Sequence, residues 1–227
     1  MLYIIVQLLG REENMKILVA VPTAETIYPE VFRAIYGLDK CGHWVVFEYI
    51  RGYDCAQARN RIAQEAINEN CDYVLMVDSD TVIPSNTLEL MLDEPVDVCL
   101  GVYANRNGDN KYTGATCVCR RFMLSGEEYF HYPTESEYSA DDIFEMQEEG
   151  LKKIRIHGGG FGCAMVKTEI FSKLKWPWFK WVDYEDGHGT LSEDLYFCEQ
   201  CKNAGIPVYA DVRVTCGHIF RYVQEVV

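Results

Sequence analysis

Short apolar runs alternate along the first half of this chain with segments whose apolar residues recur at helical spacing. The first run is rich in β-branched residues and is stopped by Pro22, and the next runs repeat the scheme. The order strand, helix, strand, helix, strand predicts a parallel sheet with right-handed crossovers. We predict strands at residues 16–21, 43–50 and 73–77, and helices at residues 29–38 and 54–68.

The pattern changes in the second half. After a predicted helix at 85–92 and a strand at 96–103, residues 112–122 alternate as antiparallel strands do. Residues 122–151 hold nine acidic residues, no Lys or Arg and several aromatic residues, and the sequence leaves open whether they form an ordered excursion or a mobile flap. The rest of the pattern predicts helices at 168–174 and from residue 190, and a strand at 207–214.

Two carboxylates follow the apolar run at residues 73–77. Asp78 and Asp80 are two positions apart, so on a strand they would face the same way. Ligands of parallel α/β sheets bind beyond the carboxyl ends of the strands, and paired carboxylates there suit Mg²⁺ or Mn²⁺ carrying a phosphate. The alternative is a polar turn in which Asp78 or Ser79 bonds to its own backbone.

Composition narrows the choice of partners. The 227 residues are 48% apolar, so the chain is globular, and 35 acidic against 21 basic side chains give a net charge of −14. That charge repels nucleic acid and anionic membranes, so no nucleic-acid partner is expected. An anionic substrate therefore needs a local cation.

Ten cysteines are dispersed through apolar segments of a sequence in which we find no secretory leader. This favours free thiols in a reducing, cytoplasmic compartment over a disulfide framework. Cys117 with Cys119 and Cys198 with Cys201 are the pairs to weigh as zinc ligands, but no His stands at finger spacing. The opening apolar run at residues 2–9 is too short to span a bilayer. Residues 1–14 are interpreted as an N-terminal extension or an added edge element.

Three further segments carry candidate chemistry, each with a structural alternative. The glycines of residues 158–162 form either a binding loop or a bend between two strands, since their spacing matches no nucleotide motif. Thr190 and Glu193 fit a capping box, which leaves Asp194 free for chemistry. A lone His after a strand, such as His218, is more often a hydrogen-bonded residue than a ligand. Three tryptophans within residues 176–181 cannot all face one core, and exposed indoles stack on sugars or contact partners.

Taken in order, these segments resemble the GT-A fold glycosyltransferases, and within them the large family 2, from about residue 15 to residue 222. The resemblance implies a Rossmann-like α/β fold with a mostly parallel central sheet, flanking helices and a small antiparallel excursion. The matching segments are Val21-Pro22-Thr23, Ala58-Arg59-Asn60, Val77-Asp78-Ser79-Asp80, Gly158-Gly159-Gly160-Phe161, Ser192-Glu193-Asp194 and His218.

The resemblance also implies roles for individual residues. Asp80 and His218 would bind the divalent cation, and Asp78 would lie near the ribose or reach the metal. Asp194 would deprotonate the acceptor hydroxyl. The donor, a nucleotide-diphosphate sugar, would contact Pro22, Thr23, Arg59, Asp78 and Ser79, and the acceptor side would be shaped by Gly159, Gly160, Phe161, Trp178 and Trp181.

The implied activity is a metal-dependent, non-processive sugar transfer to a glycan, lipid or protein acceptor, with inversion favoured over retention. No Q-x-x-R-W motif is present, and residues 48–53 replace the usual D-D-G-S pattern, so the nucleotide stays open. We expect one domain over residues 15–227, with a nucleotide-binding half to about residue 105 and an acceptor half after it. The alternatives are a retaining enzyme, a sugar-phosphate nucleotidyltransferase and a catalytically silent carbohydrate-binding protein. The sequence leaves the oligomeric state open.

Overall fold

The computed structural model describes residues 14–24, 26–52, 54–104, 116–121, 137–183 and 189–219. The predicted extension up to residue 13 and the acidic stretch 122–136 lie outside these ranges. For Cys117 and Cys119 the structure describes the backbone alone, so their side chains also lie outside the description.

The predicted alternation of strands and helices is confirmed in the first half. It consists of β1 (Lys16–Thr23), α1 (Pro29–Tyr36), β2 (Trp44–Arg51), α2 (Cys55–Asn68) and β3 (Tyr73–Val77). β1 pairs in parallel with both β2 and β3. Asp54 caps α2 by accepting a hydrogen bond from the Gln57 amide at 2.7 Å, so a local signal fixes where this helix begins.

The second half is more irregular. Its elements are β4 (Thr81–Val82), α3 (Thr87–Leu92), β5 (Val98–Val102), β6 (Thr116–Arg121), β7 (Glu137–Ser139), α4 (Ala140–Glu148), β8 (Lys153–Gly159), β9 (Cys163–Lys167), a 3-10 helix (Thr168–Ser172), β10 (Val182–Asp183), β11 (Thr190–Leu191), α5 (Glu193–Asn203), β12 (Val208–Thr215) and β13 (Gly217–His218).

Two of these elements differ from the sequence-based expectation. The helix predicted at 168–174 is a shorter 3-10 helix of five residues. The acidic stretch contains a helix that periodicity did not reveal, α4, which begins with a capping box between Ser139 and Asp142. Acidic residues in a first turn stabilise a helix through its dipole. Asp141 and Asp142, which were interpreted as part of an acidic surface, therefore also mark where α4 begins.

Among the described residues, nine strands form one sheet in the order β2-β1-β3-β9-β5-β12-β8-β6-β7. The antiparallel strand β9 is inserted between β3 and β5, and β5 pairs in parallel with β12. β8, β6 and β7 extend the sheet as antiparallel strands. The carboxyl ends of β1, β3, β5 and β12 therefore point toward one edge of the sheet.

Both faces of the sheet are covered. One apolar cluster includes Ile62 of α2 and Phe197 of α5, and the other includes Val31 of α1 and Leu88 of α3. The eight cysteines with described side chains are free thiols. No helix in the described part of the chain has both the length and the apolar character needed to cross a membrane.

Candidate functional site

The site lies where β3 ends. β3 stops at Val77, and the next residues form a turn in which the Thr81 amide donates to the Asp78 carbonyl at 3.0 Å. The Asp78 amide donates to the Gly162 carbonyl at 2.9 Å. Asp78 and Asp80 are therefore turn residues, and the expectation that they share one strand face is wrong. Their carboxylates contact different partners.

Asp80 is paired with His218. β13 runs antiparallel to β4 with His218 opposite Thr81, and the Ile219 amide donates to the Asp80 carbonyl at 2.9 Å. This register brings His218 Nε2 to 3.7 Å from Asp80 Oδ1. The two residues lie 138 positions apart in the sequence, at the ends of different strands, and the structure brings them together as predicted.

The His218 ring is held in one orientation. Its Nδ1 lies 2.8 Å from the carbonyl oxygen of Ala104, and because a carbonyl only accepts, Nδ1 carries the proton. In the neutral ring, Nε2 then directs its lone pair toward Asp80. A metal-binding His is commonly oriented by such a bond to a backbone carbonyl. Asp80 and His218 thus fit a divalent cation, although their side chains are only 15% and 8% exposed.

A cation bound here would have few protein ligands. Within the described ranges, no group of three or more His, Cys, Asp or Glu side chains is arranged to hold a metal ion. Two ligands suit Mg²⁺ or Mn²⁺, which usually keep several waters and bind substrate phosphates through one or two carboxylates. The predicted third ligand, Asp78, is instead engaged by Arg59.

Arg59 lies in the interior and not at a donor-contacting surface. It is 2% exposed on α2. Its Nη2 donates to Asp78 Oδ1 at 2.7 Å, and its Nη1 donates to Glu193 Oε1. Because both terminal nitrogens are taken by carboxylates, the prediction that Arg59 contacts a donor phosphate or base is wrong for this arrangement.

The predicted capping box at the start of α5 is also wrong. Thr190 belongs to β11, where its hydroxyl donates to Asp183 Oδ1 at 2.9 Å. The N-cap is Ser192, and Glu193 is 4% exposed and paired with Arg59. Burial raises the pKa of Glu193 to about 7, although Arg59 opposes this. Sequence reasoning missed this role because the partner lies 134 residues away.

Asp194, the predicted base, is the next residue along α5 after Glu193. Its Oδ1 accepts from the Ser192 hydroxyl and, at 2.8 Å, from the Leu195 amide. The Asp78 carboxyl has a raised pKa, first because of burial and further because of the Asp194 charge, while Arg59 lowers it. Asp194 and Asp78 therefore share one electrostatic environment at the start of α5.

Tyr103 is a site residue that sequence reasoning missed. Its hydroxyl accepts the Gly162 amide at 2.9 Å, and its ring lies edge-on to His218 with 5.1 Å between centroids. A Cβ atom on Gly162 would lie 2.5 Å from the Tyr103 ring, so only glycine fits here. The position directly after β5, at the same sheet edge as Asp78, was the available signal.

Two residues predicted for the acceptor side belong to the core. Phe161 is fully buried, with its ring 5.4 Å from Phe179 and 5.2 Å from Phe197. Trp178 is 7% exposed, and its indole donates to the Phe171 carbonyl at 2.8 Å. These side chains cannot touch an acceptor at the surface, so both predictions are corrected.

The remaining predicted residues lie at or near the same edge. Pro22 and Thr23 end β1 next to β3, and the Ser79 carbonyl accepts from the Tyr28 amide at 3.2 Å. Gly159 ends β8, and Gly160 lies in the connection to β9. Trp181 is 47% exposed. Donor and acceptor contacts of these residues stay predictions.

No protein-family model and no curated protein matches this chain. Among solved structures, the crystal structure of A197 from STIV covers 91% of this chain and 87% of its own, with a TM-score of 0.57 and 17% identity. The crystal structure of GalNAc-T7 with UDP, GalNAc and Mn²⁺ covers 92% of this chain with a TM-score of 0.56 and 11% identity, and this chain spans 45% of its length. Identities this low show the fold alone. The chain has the predicted Rossmann-like GT-A fold, and membership of family 2 stays a prediction.

Proposed function

We propose that this protein is a divalent-cation-dependent, non-processive glycosyltransferase that uses a nucleotide-diphosphate sugar. The observation that carries the proposal is the pair Asp80 and His218, whose ring is fixed by Ala104 so that Nε2 faces the carboxylate. Among the described residues, four carboxylates (Asp78, Asp80, Glu193 and Asp194) lie here with one guanidinium and one imidazole, so an added cation improves the charge balance.

In this proposal, Asp80 and His218 bind Mn²⁺ or Mg²⁺ together with the donor diphosphate. A cation held by these residues would supply charge stabilisation for the departing nucleoside diphosphate. Pro22, Thr23 and Ser79 contact the donor from the ends of β1 and β3. Arg59 and Glu193 act inside the protein and touch no substrate.

Asp194 is the proposed base. It accepts the proton of the acceptor hydroxyl as that oxygen attacks the anomeric carbon and the bond to the diphosphate oxygen breaks. This is the inverting route. Its position at the start of α5, beside Asp78, supports the role, and the Ser192 hydroxyl bonded to its Oδ1 orients it.

The probes for a first test follow from the fold neighbour that was crystallised with UDP, GalNAc and Mn²⁺. We expect isothermal titration to detect UDP or GDP binding that requires Mn²⁺ and is abolished in Asp80→Asn. Binding of free glycan without metal would instead identify a carbohydrate-binding protein. Release of pyrophosphate from a nucleoside triphosphate and a sugar phosphate would identify a nucleotidyltransferase.

The reaction itself is tested by screening nucleotide sugars for Mn²⁺-dependent hydrolysis. The expected result is release of the nucleoside diphosphate from at least one donor, with loss of turnover in Asp80→Asn and His218→Ala. Asp141→Asn is the matched control, because Asp141 is exposed on α4. Metal-independent turnover that survives both site variants would overturn the proposal.

A further inference from the structure

One guanidinium joins three separate elements of the candidate site. Arg59 projects from α2, and its terminal nitrogens reach Asp78 after β3 and Glu193 in the first turn of α5. Asp78 precedes Asp80 by two residues, and Glu193 precedes Asp194 by one. The guanidinium therefore lies between the segment of the proposed metal ligand and the segment of the proposed base.

The geometry of this contact is restrictive. A guanidinium is planar and presents its donors in a fixed fork, so it sets the relative positions of two carboxylates more strictly than an ammonium does. The Phe161 ring lies 5.9 Å from Arg59 Cζ and packs against the guanidinium. Phe161, predicted to face an acceptor, instead supports Arg59 from within the core.

Stability alone does not account for this arrangement. Buried ion pairs are often no more stabilising than apolar residues of similar volume, because removing charges from water costs free energy. The buried Arg59 Nε has no hydrogen-bond partner among the described residues. A buried guanidinium with one unsatisfied donor stabilises the fold poorly. It can nevertheless hold two carboxylates at a fixed spacing.

We infer that Arg59 is a positioning residue, with Glu193 as its anchor, that fixes the distance between the Asp78–Asp80 turn and Asp194. The inference rests on the proposed function, because it names what holds that site together. Arg59 contacts neither donor nor acceptor. Its effect on binding and transfer passes through Asp78 and through the start of α5.

The first variant is Arg59→Lys, which keeps the charge but cannot bridge both carboxylates. Losing a residue that orients metal-site groups commonly costs roughly 10–100-fold in affinity or activity. We expect a loss in that range in UDP affinity with Mn²⁺ and in kcat with the donor that the wild type hydrolyses. The melting temperature is measured in parallel. Arg61→Lys is the control, since Arg61 lies on the same helix but is exposed and donates to the Arg51 carbonyl.

The second variant separates positioning from stability. The double substitution Arg59→Met with Glu193→Met removes the buried pair and replaces it with apolar volume. We expect its melting temperature to exceed that of Arg59→Met, while UDP affinity stays as low as in the single variant. If folded Arg59→Lys and the double variant both bind UDP and turn over as the wild type does, Arg59 is only structural and the inference is overturned.

A ligand-free readout separates this inference from the proposed function. Crystal structures of wild type and Arg59→Lys should show a changed distance between the carboxylates of Asp78 and Asp194. If the wild type binds no nucleotide and this distance nevertheless changes, the positioning role stands and the proposed function fails. An unchanged distance overturns the positioning role whatever the wild type binds.

Discussion

Asp78 and Asp80 are separated by a single residue, yet they lie in two different environments. Asp78 pairs with the buried Arg59, which also binds Glu193; these three residues are called the Arg59 cluster. Asp80 faces the oriented ring of His218. Arg59 donates to both carboxylates of the Arg59 cluster, whereas the Asp80–His218 pair is the proposed cation site. We therefore propose that the first region sets geometry and that the second holds the cation.

The strongest test of this contrast is Asp80→Asn, which keeps the side-chain volume and removes the charge proposed to bind the cation. Metal-ion catalysis supplies several kcal/mol of charge stabilisation, so transfer should fall by about three orders of magnitude or more. Mn²⁺-dependent UDP binding, measured by titration calorimetry, should be lost as well. A variant with wild-type turnover and metal affinity would show that the cation site lies elsewhere.

Asp194→Asn tests which acidic residue of α5 does chemistry. General-base catalysis contributes about 10²–10⁴-fold, so transfer should fall by that factor while melting temperature and Mn²⁺-dependent UDP binding persist. Glu193→Gln should differ by losing stability, since Glu193 belongs to the Arg59 cluster. If Asp194→Asn transfers normally and folded Glu193→Gln is inactive, the roles are reversed. If both are active, the retaining route without such a base is favoured.

Arg59→Met tests the Arg59 cluster itself. Removing one partner of a buried ion pair costs roughly 3–5 kcal/mol, and the free energy of unfolding, measured in urea at pH 8, should fall by that amount. A loss below 1 kcal/mol would instead mean that water replaces the hydrogen bonds that Arg59 makes to Asp78 and Glu193. The exposed Arg61→Met is the control.

The same variant predicts a pH dependence. Burial raises the pKa of Glu193 to about 7 from an ordinary 4.5, and Arg59 opposes that rise. Without Arg59, the pKa of Glu193 in the folded protein should be higher still, so the Glu193 carboxyl keeps its proton up to a higher pH. A carboxyl whose pKa is raised by folding stabilises the folded protein fully below pH 4.5, the ordinary pKa. This contribution is lost as the pH rises through the pKa of the folded state. The deficit of Arg59→Met relative to wild type should therefore be larger at pH 8 than at pH 5.5.

The same two regions show what a sequence can reveal. The alternation that ends in β3 was predictable because each strand and helix is set by its own apolar spacing and local caps, such as Asp54 on α2. The proximity of Asp80 and His218, whose side chains lie 3.7 Å apart, was expected from the order of segments that resembles the GT-A fold. The local pattern alone favoured a hydrogen-bonded His218.

The Arg59 cluster was not predictable in this way. The capping-box interpretation explained Glu193 completely with Thr190, three residues earlier, and nothing in the local pattern pointed to Arg59. Phe161 and Trp178 were misplaced for a related reason. Aromatic residues between glycines or beside a proline have no periodicity to show which way they face, and here packing against Phe171, Phe179 and Phe197 turned them inward.

The smallest expected effect tests Tyr103, which packs against His218 and bonds to Gly162, the residue whose carbonyl accepts from the Asp78 amide. Tyr103→Phe keeps the ring edge on His218 but removes the oxygen that accepts the Gly162 amide. An unsatisfied buried donor costs about 1–3 kcal/mol, so unfolding free energy should fall by that amount and hydrogen exchange at the Gly162 amide should accelerate. Tyr36→Phe is the control, because Tyr36 is exposed. Mn²⁺-dependent UDP affinity should stay unchanged, since the Phe ring still packs against His218. A tenfold loss of affinity would instead mean that the hydroxyl acts on the Asp80–His218 pair, and the two regions would then be coupled through Tyr103.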